Sequence, residues 1–216
     1  MSASVVAVCV VHAVRDDPGG KPGVTAIDKR PASGPRAIGL AGVAGDHVEA
    51  VEVHGGRDQA VYAYAQEDRQ RWASELGRDL APGSFGENLV TVGLDVSGAV
   101  IGQTWRVGTA LLQVTSPRIP CATFQRWLGE ERWVRRFTEA ELPGAYLRVL
   151  EPGEVAAGDS FEIVDTPGHA VTIADAFAGR LADRNRLRRL LAEGVDLQPT
   201  LVERLQRELT VGNSDA

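Results

Sequence analysis

Short runs of β-branched and apolar residues, separated by turn-forming residues, recur along the first 165 positions of the chain. Residues 4–14 are apolar at nearly every position, a pattern typical of a strand covered on both faces. Two of the later runs flank Gly108-Thr109, and this spacing predicts a hairpin. The predicted strands are 4–14, 24–29, 89–92, 103–107, 110–115, 145–150 and 160–164.

Two longer segments carry apolar residues at helical spacing. Between residues 61 and 76 such residues recur with a 3.6-residue period, and Gly77 follows as a C-terminal stop signal. The pattern therefore predicts a helix over 61–76. Phe124, Trp127 and Phe137 share one face of a second predicted helix over 123–138.

The composition shifts at residues 166–168, Thr-Pro-Gly. Beyond this point only helical patterns occur, in short pieces near 171–181, 184–193 and 200–210. We therefore predict an α+β chain that is mainly β, with a β-rich domain over residues 1–165 and a helical tail over residues 168–216.

The 216-residue chain is 44% hydrophobic and 24% charged, which is ordinary for a folded protein. Its net charge of −6 opposes non-specific binding to nucleic acid or to an anionic membrane. No apolar run reaches membrane-spanning length, and the run near the N-terminus has no cationic leader. Two cysteines make no disulfide framework, so we expect a cytoplasmic protein.

Cys121 is the first candidate for chemistry. It follows the stiff segment Pro117-Arg118-Ile119-Pro120 and precedes the predicted helix 123–138. A helix N-terminus and a neighbouring Arg118 both favour the thiolate, the form that attacks electrophiles or binds metal. The alternative is a small buried apolar residue, and Cys121 alone leaves both interpretations open. Cys9 lies within a continuous apolar strand, which favours a structural role.

Two further segments combine glycine with polar side chains. In His54-Gly55-Gly56 an imidazole precedes two glycines that would let the backbone approach a ligand. The segment 84–88 places Glu87 and Asn88 after Gly86 in a turn. Taken alone, each segment is better explained by ordinary turn chemistry. A hydrolase with a Cys121–His54–Asn88 triad is a further alternative, and the cysteine and histidine spacing does not favour a zinc site.

Taken in order, these segments resemble a molybdenum-cofactor sulfurase C-terminal (MOSC) domain. The resemblance covers residues 20–165, and the three-helix end is similar to that of bacterial stand-alone members that reduce N-hydroxylated bases. It implies a mostly antiparallel β-barrel with peripheral helices. The matching pieces are Gly45-Asp46, the segment 54–62, Phe85-Gly86-Glu87-Asn88-Leu89, Ile101-Gly102 and Pro117-Arg118-Ile119-Pro120-Cys121.

The resemblance also implies a function: a pterin-bound molybdenum, held by Cys121, that reduces small N-hydroxylated compounds with electrons from a separate reductase. The thiolate is a soft ligand that suits this metal. Gln59, Gln103 and Ala50 depart from residues common in the family. The residues expected to contact the cofactor are Lys29, His54, Gly55, Gly56, Gly86, Glu87, Asn88 and Arg118.

Two alternatives accompany this interpretation. In the first, Cys121 accepts a persulfide, in sulfur transfer linked to pyridoxal phosphate, and delivers it to metal–sulfur centres. In the second, the barrel binds a small molecule without turnover. The leucine stripes of the tail must pack on something, because such short helices are unstable alone, and a homodimer is one way to cover them.

Overall fold

The computed structural model describes residues 3–49, 55–178, 192 and 202–203. Every strand predicted from the sequence is present, which confirms a mainly β protein with helices. The strands are β1 (Ser4–Asp16), β2 (Val24–Pro31), β3 (Arg36–Gly39), β4 (Gly42–Val43), β5 (Val61–Ala65), β6 (Leu89–Val92), β7 (Thr104–Val107), β8 (Ala110–Pro117), β9 (Ala145–Glu151), β10 (Gly153–Val155) and β11 (Phe161–Asp165). The helices are α1 (Gln66–Leu76), α2 (Ala122–Leu128), α3 (Trp133–Ala140) and α4 (Ile173–Ala178), with a 3₁₀ turn at Arg57–Gln59.

Eight strands form one mixed sheet in the order β11-β7-β8-β9-β5-β6-β1-β2, and β10-β3-β4 form a small second sheet. The large sheet is antiparallel except for the parallel pair β5–β6. Its ladders do not close into a complete barrel among the described residues. The sheet nevertheless curls and brings β11 into contact with β1. Val5 N donates to Asp159 O at 2.8 Å, and Phe161 N donates to Ala3 O at 3.1 Å. These bonds join the start of β1 to the start of β11.

The single helix predicted over residues 61–76 is wrong, because this segment holds a strand followed by a helix. Its first five residues form the central strand β5, and the helix α1 begins only at Gln66. All five residues of β5 are buried, because the strand lies inside the sheet and is covered on both faces. Such a strand is apolar at every position, so its residues also satisfy a helical period by coincidence.

The segment 123–138 also departs from the prediction, since it holds two helices instead of one. Gly129 adopts a left-handed conformation with φ of 69° and ends α2 through its N–H, which donates to the Gln125 and Arg126 carbonyls. Arg132, at φ 54°, precedes α3. Both helices cover an aromatic cluster, in which the Trp72 and Trp133 rings lie 4.5 Å apart.

The first residues of the predicted tail belong to the core. Val171 and Ile173 are fully buried, and their backbones pair with Ile101 and Ala99. The tail helices predicted over 184–193 and 200–210 lie outside the described residues, apart from residues 192 and 202–203. The division at residues 165–168 therefore stays a prediction. None of the helices that the structure describes is long and apolar enough to cross a membrane.

Asp68, in the first turn of α1, carries a charge that its surroundings disfavour. Burial, together with the nearby carboxylates of Asp95 and Glu67, raises the pKa of Asp68 from 3.8 to about 6. The folded protein thus binds this proton more tightly than the unfolded chain. Ionised Asp68 consequently destabilises the fold above about pH 6, and this effect disappears below about pH 4.

Replacing Asp68 by Asn is expected to raise the free energy of unfolding at about pH 8 by about 1 kcal/mol. This gain is smaller than the whole pKa shift would give, because the side chain is partly exposed to solvent. The gain should vanish at about pH 4, where wild-type Asp68 is protonated. Urea unfolding at both pH values measures this difference. Asp79→Asn, at an exposed position beyond α1, is the control. A gain of equal size at both pH values would contradict the assignment.

Candidate functional site

One pocket of about 260 Å³ brings several of the predicted residues together. It lies between β2, the segment 46–49, the start of β5 and the residues that join β8 to α2. Of the predicted site residues, Lys29, Gly86, Asn88, Arg118 and Cys121 line it. The other lining residues are Lys21, Val24, Thr25, Ala26, Ile27, Asp46, His47, Val48, Glu49, Gln59, Ala60, Tyr62, Thr123 and Tyr146.

Cys121 lies half-buried in this pocket, directly before α2. The extended segment from Pro117 to Cys121 carries the chain from the end of β8 into that helix. Cys9 differs from Cys121 in its burial and in the pKa of its thiol. It is fully buried within β1, and burial raises the pKa of its thiol to about 12. Neither cysteine forms a disulfide. The thiol that can react or bind metal is therefore Cys121, and Cys9 packs as an apolar residue.

Arg118 places a buried positive charge at the pocket. Its side chain is only 6% exposed, and its guanidinium carbon lies 3.9 Å from the centre of the Phe124 ring. Nη1 donates a long bond of 3.4 Å to the Ile119 carbonyl. Within the part of the chain that the structure describes, no carboxylate lies within 4.0 Å of this guanidinium. A buried cation without a carboxylate is suited to an anionic group of a ligand.

Lys29, in contrast, has a carboxylate partner. Its Nζ donates to Asp46 Oδ2 at 2.6 Å, and both side chains are 8% exposed. Asp46 also accepts a bond from the backbone N–H of Val11 at 3.0 Å and one from Asn88 Nδ2 at 2.7 Å. Lys29 therefore offers the pocket a hydrogen-bond donor whose charge Asp46 already balances. Only the Gly45-Asp46 pair in the resemblance indicated this carboxylate.

Asn88 and Glu87 use their polar atoms inside the protein. Asn88 Nδ2 donates to the carbonyl of Cys9 and to Asp46, and its Oδ1 accepts from Tyr62 N at 3.1 Å. Glu87 is fully buried outside the pocket lining, and its two oxygens accept the N–H groups of Gly83 and Phe85 at 2.7 and 2.9 Å. Burial raises the pKa of Glu87. Both residues hold the turn in shape, and Asn88 also lines the pocket, so the cofactor contacts predicted for them stay a prediction.

The glycines divide into two groups. Gly86 lines the pocket in a left-handed conformation with φ of 74°, and a Cβ there would lie 3.1 Å from Ile27 Cγ1. Gly55 and Gly56 are absent from the lining. Gly56 instead starts the 3₁₀ turn, in which its carbonyl accepts a bond from Gln59 N at 3.1 Å. His54 lies outside the described residues.

Sequence reasoning missed the pocket's neutral polar and aromatic residues as site candidates. Gln59 was noted only as a departure from the family, yet it lines the pocket, and its buried Oε1 has no hydrogen-bond donor among the described residues. The rings of Tyr62 and Tyr146 pack at a tilt of 43° with their centres 5.2 Å apart, and the guanidinium carbon of Arg118 lies 5.7 Å from the centre of the Tyr62 ring. Burial raises the pKa of Tyr146, so its phenol stays protonated. No local motif marks tyrosines on two separate strands.

Comparison with known proteins gives consistent results. The MOSC domain model matches residues 50–162. YflK of Bacillus subtilis is 33% identical over 162 residues, which are 75% of this chain and 72% of YflK. A protein named Reductase from Gibberella moniliformis is 31% identical over 66% of this chain, although the match spans only 26% of that protein.

Among solved structures, YiiM from Geobacillus stearothermophilus superposes with a TM-score of 0.78 and 25% identity, covering 96% of this chain and all of that one. The family model, the relatives and the fold therefore agree with the resemblance in the sequence. This chain belongs to the MOSC domain family.

Proposed function

We propose that this protein is a molybdenum-cofactor-binding oxidoreductase that reduces small N-hydroxylated compounds, with the thiolate of Cys121 as a ligand of the metal. MOSC domains are linked to molybdenum cofactor binding and to oxidoreductase activity, and one relative bears the name Reductase. The observation that carries the proposal is the pairing, in one pocket, of the half-buried Cys121 with the buried Arg118, which has no described carboxylate partner.

The chemistry of the lining residues fits the cofactor. A thiolate is a soft ligand, and the guanidinium of Arg118 can form paired hydrogen bonds to a phosphate. Hydrogen-bonding groups for a polar heterocycle come from Lys29, Gln59 and the protonated Tyr146. Gly86 lines the pocket without a side chain that would occupy it. His54 remains a proposed contact. When bound, the cofactor supplies two-electron redox chemistry.

The protein's own residues bind and orient the reactants. Arg118 would hold the anionic group of the cofactor and Cys121 its metal, because both residues line the same pocket. The net reaction consumes two electrons and two protons: the N–O bond breaks, the nitrogen gains a hydrogen and the oxygen leaves as water. We assign the electrons to a separate reductase and the protons to solvent at the pocket mouth.

Replacing Cys121 by Ala should remove molybdenum from protein produced in cells with intact cofactor synthesis. Wild-type protein is expected to carry close to one molybdenum per chain, and the variant less than about a tenth of that, because the only reactive thiolate of the pocket is lost. Metal analysis of purified protein measures the occupancy. Cys9→Ala, which alters the buried thiol, is the matched control and should keep its metal.

The same preparation distinguishes the sulfur-carrier alternative. Wild-type protein without metal, but about 32 Da heavier by one sulfur atom on Cys121, would support a persulfide carrier and contradict the molybdenum proposal. Molybdenum retained in Cys121→Ala would also contradict the assigned ligand.

Replacing Arg118 by Met should lower the molybdenum content several-fold yet change the free energy of unfolding by less than about 1.5 kcal/mol, because no described carboxylate is left behind. Arg148 gives the contrast. It is 1% exposed and lies 3.2 Å from Asp58, so Arg148→Met should destabilise the protein by about 3 kcal/mol. Metal analysis and urea unfolding of both variants test the prediction. Equal destabilisation would show that Arg118 is structural.

A further inference from the structure

The loop that joins β1 to β2 is fastened to α2 by a buried carboxylate. Asp17, only 5% exposed, accepts two bonds from Arg126: Nε donates to Oδ1 at 2.6 Å and Nη2 donates to Oδ2 at 2.9 Å. Thr123 Oγ1 donates to Oδ2 at 2.7 Å. This paired arrangement is the strongest geometry for an arginine and a carboxylate. The hydrogen bonds from Arg126 hold the pKa of Asp17 below its usual value.

The loop backbone, residues 17–23, is folded tightly onto this ion pair. Asp17 N donates to Gly23 O, and Gly20 N donates to Asp17 O, both at 2.8 Å. A Cβ on Gly20 would lie 2.2 Å from Asp17 Oδ2, a separation that forces a shift. Gly20 thus lets the backbone pass beside the carboxylate while Arg126 holds it. The loop and the ion pair therefore depend on each other.

The two segments that meet at Asp17 both line the pocket. The loop contributes Lys21, while the start of α2 contributes Thr123, with Cys121 directly before it. The hydrogen bond to Asp17 raises the pKa of Arg126, and the electrostatic interaction with Cys121 adds to that rise. Movement of the loop away from α2 would therefore open the pocket at the end that holds the thiol.

We propose that the Asp17–Arg126 ion pair latches loop 17–23 to α2 and thereby controls access to Cys121 and fixes its position. Asp17 and Gly20 are positioning residues in this scheme, and neither needs to touch a ligand. The latch goes beyond the proposed function, because it concerns access to the thiol and not what the thiol binds. Its failure and the failure of the molybdenum proposal are therefore separate outcomes.

Alkylation of metal-free, full-length protein by iodoacetamide tests the latch, with mass spectrometry reporting each cysteine separately. In Asp17→Asn the amide nitrogen faces donors and the latch weakens, so Cys121 should react about tenfold faster than in wild type. Gly20→Ala displaces the carboxylate without removing a charge. It should show the same acceleration with an unchanged pH midpoint of alkylation, which separates access from electrostatics.

Cys9 serves as the internal control, because global unfolding would expose it together with Cys121. Glu75→Gln is the matched variant, since it breaks the 2.7 Å pair between Glu75 and Arg136 away from the pocket and should leave the Cys121 rate unchanged. An unchanged Cys121 rate in Gly20→Ala would overturn the latch. Parallel acceleration of Cys9 would overturn it too, because the ion pair would then support the whole fold. Acceleration of Cys121 in Glu75→Gln would also overturn it, because an ion pair away from the pocket would then have the same effect.

Discussion

The carboxylate of Asp46 links three strands of the large sheet beside the pocket. Its oxygens accept the N–H of Val11 on β1, the ammonium of Lys29 on β2 and the amide of Asn88 just before β6. A buried carboxylate is tolerated only when such donors surround it, so all three must stay in place. Because Asp46 also balances the charge of Lys29, the buried positive charge left for a ligand is that of Arg118.

Polar atoms around the pocket fall into two sets. Glu87 and Asn88 have hydrogen-bond partners for their oxygens and amide, and both lie where strand and turn must keep their shape. Arg118 and the Oε1 of Gln59 lack comparable partners among the described residues. Since folded proteins pair nearly all buried polar groups, atoms left over beside a cavity indicate where a ligand would bond.

The sequence predicted the strands well because β-branched runs between turn residues are local signals. The strand at residues 61–65 was predicted as helix, since a strand buried on both faces shows no alternation of apolar and polar residues. The segment 123–138 was predicted as one helix from its apolar spacing, although Gly129 ends the first of two helices there. Cys121 and Arg118 stand in one motif, Lys29 was named only as an expected cofactor contact, and all three line the pocket. Asp46 is bonded by residues 35 and 42 positions away, and Asp17 by a residue 109 positions away. No local pattern in the sequence reveals such distant partners.

The pocket thus has two unlike walls. One wall is part of the sheet, where backbone ladders and the bonds of Asp46 restrain β1, β2 and the start of β6. The wall with Cys121 is made by a connecting segment and a seven-residue helix, and loop 17–23 is bonded to that helix through the carboxylate of Asp17. The sheet fixes the lining residues on one side, whereas in the proposed latch the bonds of Asp17 determine whether the loop and the helix beside Cys121 separate.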